Sequence, residues 1–330
     1  MSAAAVAAPA RTASLEAVAR RNAWTLGLIG FLVALLAFTK IINPDYGVAG
    51  LQGLAIAVLP LALATVGQAI AVISGGIDLS IAAMMALCGV VTATLMEGQP
   101  AEFGVLVVLL VLALGVLLGV TNGTLVVLTR VPDIVVTLAM TFVWSGLALL
   151  VLRTPGGKSV DWLRELVLGP ILVDFVPKAA VVMLVIVGLI WIPLRRSRLG
   201  ISMYAIGSNR LAAFRSGVAV GRTKVAAYAF TGLFAALGGL SVVASTGIGD
   251  PKPGPYTLQA VAAVVLGGVS LAGGRGGVLG PIVAVVILQL IRTDMTFLNL
   301  DTNLAVVVQG MILIGVVMIG SFVQLRRDRA

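Results

Sequence analysis

The chain has 330 residues, of which 60% are hydrophobic and only 11% charged, with a mean hydropathy of +1.13. A soluble domain carries about 25% charged residues, so a soluble enzyme, a disordered chain and a disulfide-stapled secreted domain are all excluded. Histidine is absent and Cys88 is the one cysteine, which removes His-based metal sites, His-activated nucleophiles, CxxC sites and internal disulfides. A transmembrane helix needs roughly 20 apolar residues, and about ten such spans would use nearly the whole apolar stock. The composition therefore predicts an all-α, polytopic helical membrane protein. In such a protein the net charge of +9 reflects Lys and Arg held on the cytoplasmic side rather than nucleic-acid binding.

Residues 1–22 form an Ala-rich tail with Arg11, Arg20 and Arg21. The apolar run 23–42 is too long for a signal-peptide core and lacks a clear small-x-small cleavage site, so it reads as an uncleaved first span. Further spans are expected near 54–74, 79–96, 103–128, 132–152, 178–194, 224–246, 257–272, 276–291 and 303–322. The membrane domain then covers 23–324, and a short tail, 325–330, follows. Ten spans put both termini on one side. If that side is the cytoplasm, it holds 15 of the 22 basic residues and four of the 13 acids, Glu16, Asp78, Asp133 and Asp328. This split fits the positive-inside rule and supports the count, because losing one span would invert half of the loops.

Two loops are long. The outer one, 153–177, is punctuated by Pro and Gly, with room for a short surface helix around Trp162. The inner one, 195–223, carries with Lys224 seven of the fifteen inside charges. A weak echo links QAIAVISGGIDLS from Gln68 to QAVAAVVLGGVSLAGG from Gln259. It pairs spans two and eight, which run in the same direction, so it does not fit an inverted repeat. Shared composition and a shared Gly-Gly hairpin explain it better.

Four motifs carry chemistry. Ser74-Gly75-Gly76-Ile77-Asp78-Leu79-Ser80 joins two spans almost without a linker. Its glycines allow positive φ, and Asp78 stands where it can cap the next helix or face a substrate path. A second hairpin holds Gly267, Gly268, Gly273 and Gly274, followed by Arg275 and Pro281. It fits irregular backbone beside a cavity or close packing through small residues. In the inner loop, Ser208 or Asn209 can cap a short helix that Gly217 ends. Leu211 and Phe214 then lie about 60° apart on one face, flanked by Arg210 and Arg215, with Ala212, Ala213 and Ser216 opposite. Such a ridge suits docking into a groove of a soluble partner or lying on anionic lipid. Finally, the intramembrane polar residues are uncharged groups, among them Gln68, Thr121, Asn122, Thr137, Thr141, Gln259, Gln289 and Gln309, plus the Trp144 ring. Each reads as a helix–helix hydrogen bond or, collectively, as a path for a neutral polyol. The scarcity of buried charged pairs counts against a proton or sodium relay. Gly156-Gly157-Lys158-Ser159 mimics a P-loop, but the position that needs the first Gly is Leu152.

These residues together resemble the permease of bacterial ATP-binding-cassette (ABC) importers of the ribose/xylose/galactose type, within the branched-chain amino acid/ribose permease superfamily. The resemblance runs from about Leu51 to Ile319. It rests on 74–80, Asn122-Gly123, Pro132, Tyr204 to Asn209 through Gly207 and on to Gly217, and Ala262 through Gly274. Departures are Thr257 and Gln259 where the family often has acids, Arg210 after Asn209, and Asp133 after Pro132.

The resemblance implies a type II-like importer fold of about ten helices in the bacterial inner membrane, with both termini cytoplasmic. It implies a second permease subunit, identical or paralogous, a cytoplasmic ATPase that binds ATP and Mg, and a periplasmic sugar-binding protein. This chain would hold no cofactor or metal and would not be an enzyme. Gly207, Ser208, Asn209, Arg210, Leu211, Phe214, Arg215 and Gly217 would form the coupling helix seated on the ATPase. Gln68, Ser74, Asp78, Asn122, Thr137, Thr141, Trp144 and Gln259 are the candidates for the substrate path. An ion-coupled secondary sugar carrier is the alternative, and a membrane enzyme would need clustered catalytic acids that the sequence lacks.

Overall fold

The computed structural model describes residues 23–171, 174–300 and scattered positions between 304 and 318. The terminal tails 1–22 and 325–330 and most of the predicted span 303–322 lie outside the described residues. Among the described residues no strand forms, and twelve helices follow one another. They are α1 (Ala23–Ile42), α2 (Val48–Ile73), α3 (Ile81–Met96), α4 (Phe103–Thr129), α5 (Asp133–Val151), α6 (Asp161–Glu165), α7 (Lys178–Arg196), α8 (Arg198–Ser208), α9 (Arg210–Arg215), α10 (Val220–Thr246), α11 (Tyr256–Leu266) and α12 (Leu279–Phe297).

Nine of the ten predicted spans have a helix at their place. Seven of these helices are long and apolar enough to cross a membrane; α3 and α11 are shorter apolar helices. The predicted spans 79–96 and 257–272 therefore shrink, because Gly-rich backbone takes over at 74–80 and 267–277 before the helices are long enough to cross. Loop 153–177 contains the short helix around Trp162, as expected.

The core is built around α2. Its spanning window is 89% buried, against 22% for α5 and 33% for α4. It is enclosed because α10, α11, α12 and α7 all pack against it. The outer helices bury one face only and leave Leu109, Leu117, Phe142, Leu150 and Leu189 exposed. Inside a bilayer that rim costs nothing, since lipid tails are as apolar as Leu.

Association must then come from close packing and hydrogen bonds. The sequence supplies the former with Gly115, Gly119 and Gly123 at four-residue spacing on α4. A Cβ at Gly119 would strike the Tyr228 carbonyl, and one at Gly115 the Gly232 carbonyl, both on α10. The two backbones come this near because none of these glycines has a side chain.

The loops fall into two sets. At one end Gly156 and Gly249 exchange backbone hydrogen bonds of 3.0 and 2.8 Å, Ser159 N–H reaches Gly247, and Lys158 N–H reaches Ala93. At the same end Trp162 Nε1 donates to Ala101. At the other end the hairpins 74–80 and 267–277 meet α8. These are the groupings that the charge split predicts for the outer and inner faces.

Candidate functional site

The end that the charge split assigns to the inner side holds two joined constructions. The first is a polar hub under hairpin 74–80. α2 ends on a glycine cap: Gly75 has φ +75°, its N–H reaches Val72, and Gly76 N–H reaches Ala71. This double bond satisfies carbonyls left over at a helix end. α11 ends the same way, with Gly268 at φ +81° bonded to Val265 and Val269 to Val264. The echo between the two segments is thus one helix-ending motif used twice.

Beyond the cap, residues 76–78 take no regular structure, and their backbone must find partners. They come from neighbouring helices. Thr137 of α5 donates to the Ile77 carbonyl (3.1 Å) and accepts from Leu79 N–H (3.1 Å). Thr141 of α5 and Thr257 of α11 both donate to the Leu79 carbonyl, at 3.0 and 3.2 Å. Ser80 N–H and hydroxyl both donate to Asp78 Oδ1, at 2.8 and 2.7 Å. Asn122 donates to Ser80 (2.7 Å) and accepts from Trp144 Nε1 (3.2 Å). Asp78 therefore caps Ser80, the residue before α3, and not the first N–H groups of the helix itself. The backbone turns once more at Ser80 before α3 begins at Ile81.

Ser74, Asp78, Asn122 and Thr137 are fully buried, and Ser74 donates to Ala71. Six of the eight candidate path residues are thus brought together, all engaged in holding the hairpin. Gln68 stands apart, fully buried with neither amide atom partnered. Gln259 is half-buried on the first turn of α11.

The structure also corrects one expectation. A charged pair does lie among the helices. Lys224 of α10 meets Asp133 of α5 at 2.7 Å, with side chains 11% and 19% exposed. Lys224 also donates to the Gly75 carbonyl at 3.0 Å, and Tyr228 donates to Asp133 at 2.7 Å. Gly76 makes room for the cluster, since a Cβ there would strike Asp133 Oδ2. By sequence Asp133 and Lys224 stand at the ends of predicted spans and count among the inside charges, with no partner assigned to either. The available signal was two lone opposite charges, each at the inner end of an apolar run.

Replacing Asn122 by Leu should cost about 1–3 kcal/mol, because Trp144 loses its acceptor and Ser80 its donor. The expected readout is a lower melting temperature in detergent, with the chain still inserted.

The second construction is α8–α9. Ser197 caps α8 by accepting from Gly200 N–H. Asn209 caps α9 by accepting from Ala212 N–H at 2.9 Å, and Gly217 at φ +83° ends it. Leu211 and Phe214 project outward, 58% and 66% exposed, while Ala213 is buried at 5%. Ala212 and Ser216, expected to share the inner face with Ala213, are exposed. A six-residue helix has only one residue that points inward.

The two constructions meet at Gly207. Its missing Cβ would collide with the Ile73 carbonyl and Gly274 N–H, and Gly274 N–H itself bonds Ile73 at 2.9 Å. A Cβ on Gly273 would lie 2.9 Å from Gly207 and 3.0 Å from Gly75. Three backbone segments therefore touch at one point, two residues before the Asn209 cap of α9. Tyr204 adds a strut, donating to the Gly276 carbonyl at 2.8 Å. Burial raises the Tyr204 phenol above its ordinary value, partly countered by Arg195, so it stays protonated as a donor at neutral pH. Trp24 closes the far side through the Leu266 carbonyl (2.8 Å).

A bundle of membrane-length helices, with broken backbone at one end tied to a short exposed helix, defines a multi-pass membrane protein. The family of the permease component of branched-chain amino acid transport systems matches residues 50–317, and the chain belongs to it. The ribose import permease protein RbsC of Escherichia coli K12 is 30% identical over 309 residues, covering 90% of this chain and 94% of the relative. The ribose import permease of Haemophilus influenzae is 28% identical, covering 88% and 91%. The autoinducer 2 import system permease protein LsrD of Escherichia coli O9:H4 is 28% identical, covering 94% and 95%. No solved structure gives a significant match.

Proposed function

We propose that this chain is the membrane-spanning permease of an ABC importer that translocates a monosaccharide or similar polyol. It works in the bacterial inner membrane with both termini cytoplasmic, paired with a second permease subunit. A periplasmic binding protein delivers the substrate, and a separate ATPase, which binds ATP and Mg, supplies the energy. The relatives' names, ribose and autoinducer 2 import permeases, support the substrate class. The observation that carries the mechanism is the Gly207 joint. A push on α9 from below reaches the backbone of both hairpins without passing through a flexible side chain.

In this reading Leu211 and Phe214 seat in a cleft of the ATPase, with Arg210 and Arg215 at its rim. The hub residues Ser74, Asp78, Asn122, Thr137, Thr141 and Trp144 hold hairpin 74–80 as a stiff element that the joint moves. Gln68 and Gln259 remain for the path itself.

Phe214→Asp should lower substrate uptake at least tenfold and weaken co-purification of the ATPase, because it places a charge in an apolar contact. Arg210→Glu should do the same more mildly. Wild-type uptake by both variants would sink the coupling assignment. The alternative, an ion-coupled secondary carrier, gains one observation from the Asp133–Lys224 pair. It predicts uptake into vesicles by this chain alone under an ion gradient. The pair is neutral as a unit and already bonded to Gly75 and Tyr228, which favours a structural use.

A further inference from the structure

A cavity of about 430 Å³ opens at the outer end, between α2, α10, α11 and α12. Cavities that hold small ligands run from about 300 to 1,000 Å³. Tyr256, Gln289, Arg292, Thr293, Thr296, Thr246 and Ser245 contribute its polar lining, and among the described residues no carboxylate lines it. Gln289 Nε2 is committed to the Ala57 carbonyl at 3.0 Å, which leaves its amide oxygen as an acceptor. Thr293 and Thr296 donate to backbone carbonyls one turn back, so their free lone pairs also accept. Arg292 supplies donors only, and the Tyr256 ring offers a flat apolar face. Donors, acceptors and one aromatic face, with no acid among the described lining residues, suit a polyhydroxylated ring, and the sugar-permease reading makes that ring a neutral one.

A second observation lies further inward on the same helix. Ala57 of α2 lines it. Gln68 is eleven residues further along the same helix, hence within about 20° of the same face and about 16 Å deeper. Gln68 is fully buried, and neither amide atom has a partner; Thr65 Oγ1, on the turn above, is equally unpartnered. A buried amide left without bonds is costly, so an amide kept there points to a partner that arrives in another state.

We infer that this cavity is an outer vestibule for a neutral monosaccharide, and that Gln68 receives the sugar's hydroxyls at the next position inward along α2. The inference rests on the sugar-permease reading above. It predicts that the vestibule is occupied before Gln68 is reached, so loss of Gln68 stops passage without stopping docking.

The test uses the native scarcity of thiols. Cys88 is the only cysteine and is fully buried, so Thr293→Cys creates a single reachable thiol. Leu298→Cys, 46% exposed at the same end and outside the lining, serves as a control. Spheroplasts carrying the permease with its ATPase and binding protein are treated with a membrane-impermeant maleimide. D-ribose, D-xylose, D-galactose or no sugar is present, and uptake of each sugar by the wild type is measured in parallel. A transported sugar should slow labelling at position 293 at least threefold and leave position 298 unchanged. In the Thr293→Cys background, Gln68→Leu should cut uptake at least tenfold while protection persists. A sugar that the wild type takes up but that leaves position 293 unprotected overturns the vestibule. Protection lost together with uptake in the Gln68→Leu variant overturns the inward order. Absence of wild-type uptake for every sugar defeats the sugar-permease reading and the vestibule with it.

Discussion

Replacing Lys224 by Met should destabilise the protein by about 3–5 kcal/mol, the usual cost of stranding one partner of a buried ion pair. Asp133 would keep only the Tyr228 hydroxyl at 2.7 Å, and the Gly75 carbonyl would lose its donor at 3.0 Å. Both effects fall on hairpin 74–80, so uptake should drop further than folded protein does. Exchanging the charges, Asp133→Lys with Lys224→Asp, should recover a large part of the melting temperature. The recovery should be incomplete, because an Asp at position 224 cannot donate to Gly75. Equal melting temperatures for Lys224→Met and the wild type in detergent would show that the pair contributes no stability. No recovery in the exchanged protein, beside a damaged single variant, would show that Lys224 acts through packing rather than charge.

Gly207→Val carries the second large effect. Even a single Cβ at this position would overlap the Ile73 carbonyl and Gly274 N–H, and neither is a flexible side chain that can step aside. Overpacking of this kind typically costs about 1–3 kcal/mol, here by prising apart the three segments that meet inside the bundle. The proposed docking face is untouched, because Leu211 and Phe214 are exposed and are not among the atoms that a Cβ at Gly207 would meet. The expected phenotype is therefore retained co-purification of the ATPase, uptake reduced at least tenfold, and ATP hydrolysis that no longer responds to the loaded binding protein. Gly277→Ala is the matched control in the same hairpin region, where an added Cβ meets nothing within 4 Å. It should transport like the wild type. If Gly207→Val also transports normally, the joint does not transmit the motion.

The parts of this protein that were legible in sequence depend on local chemistry. Gly217 and Asn209 announce the ends of α9 because a left-handed cap favours Gly and an N-cap favours a short acceptor. Both are used so. Apolar length predicted where nine helices lie, because each stretch must satisfy its own backbone in lipid. The hub was legible only as a set of isolated polar residues. Thr137 and Thr141 recur one turn apart on α5, which places them on one face. Nothing in their spacing says that this face meets the carbonyls of Ile77 and Leu79, about 60 residues earlier in the chain.

The vestibule was less legible still. Gln289 looked like one more helix–helix hydrogen bond, and its bond to Ala57 is one. Its grouping with Tyr256, Arg292 and Thr293 depends on how α2, α10, α11 and α12 diverge at the outer end. The pairing of Asp133 with Lys224 was missed for a related reason. A charge at the end of an apolar run is read as solvated unless a partner is known, and here the partner comes from a helix some 90 residues away.

By itself the amino-acid sequence determined the membrane environment, the positions of nine helices, the two groups of loops and the short helix α9. Each of these follows from how one segment partitions between water and lipid, which neighbours in space do not alter. Only the tertiary structure decided that α2 is the central helix, that Lys224 and Asp133 pair, and that Gly75, Gly207, Gly273 and Gly274 form one joint. Those outcomes depend on backbone approaches closer than a methyl group permits and on polar groups that must find partners across helices. Such partners are chosen by packing geometry, which no local run of residues encodes.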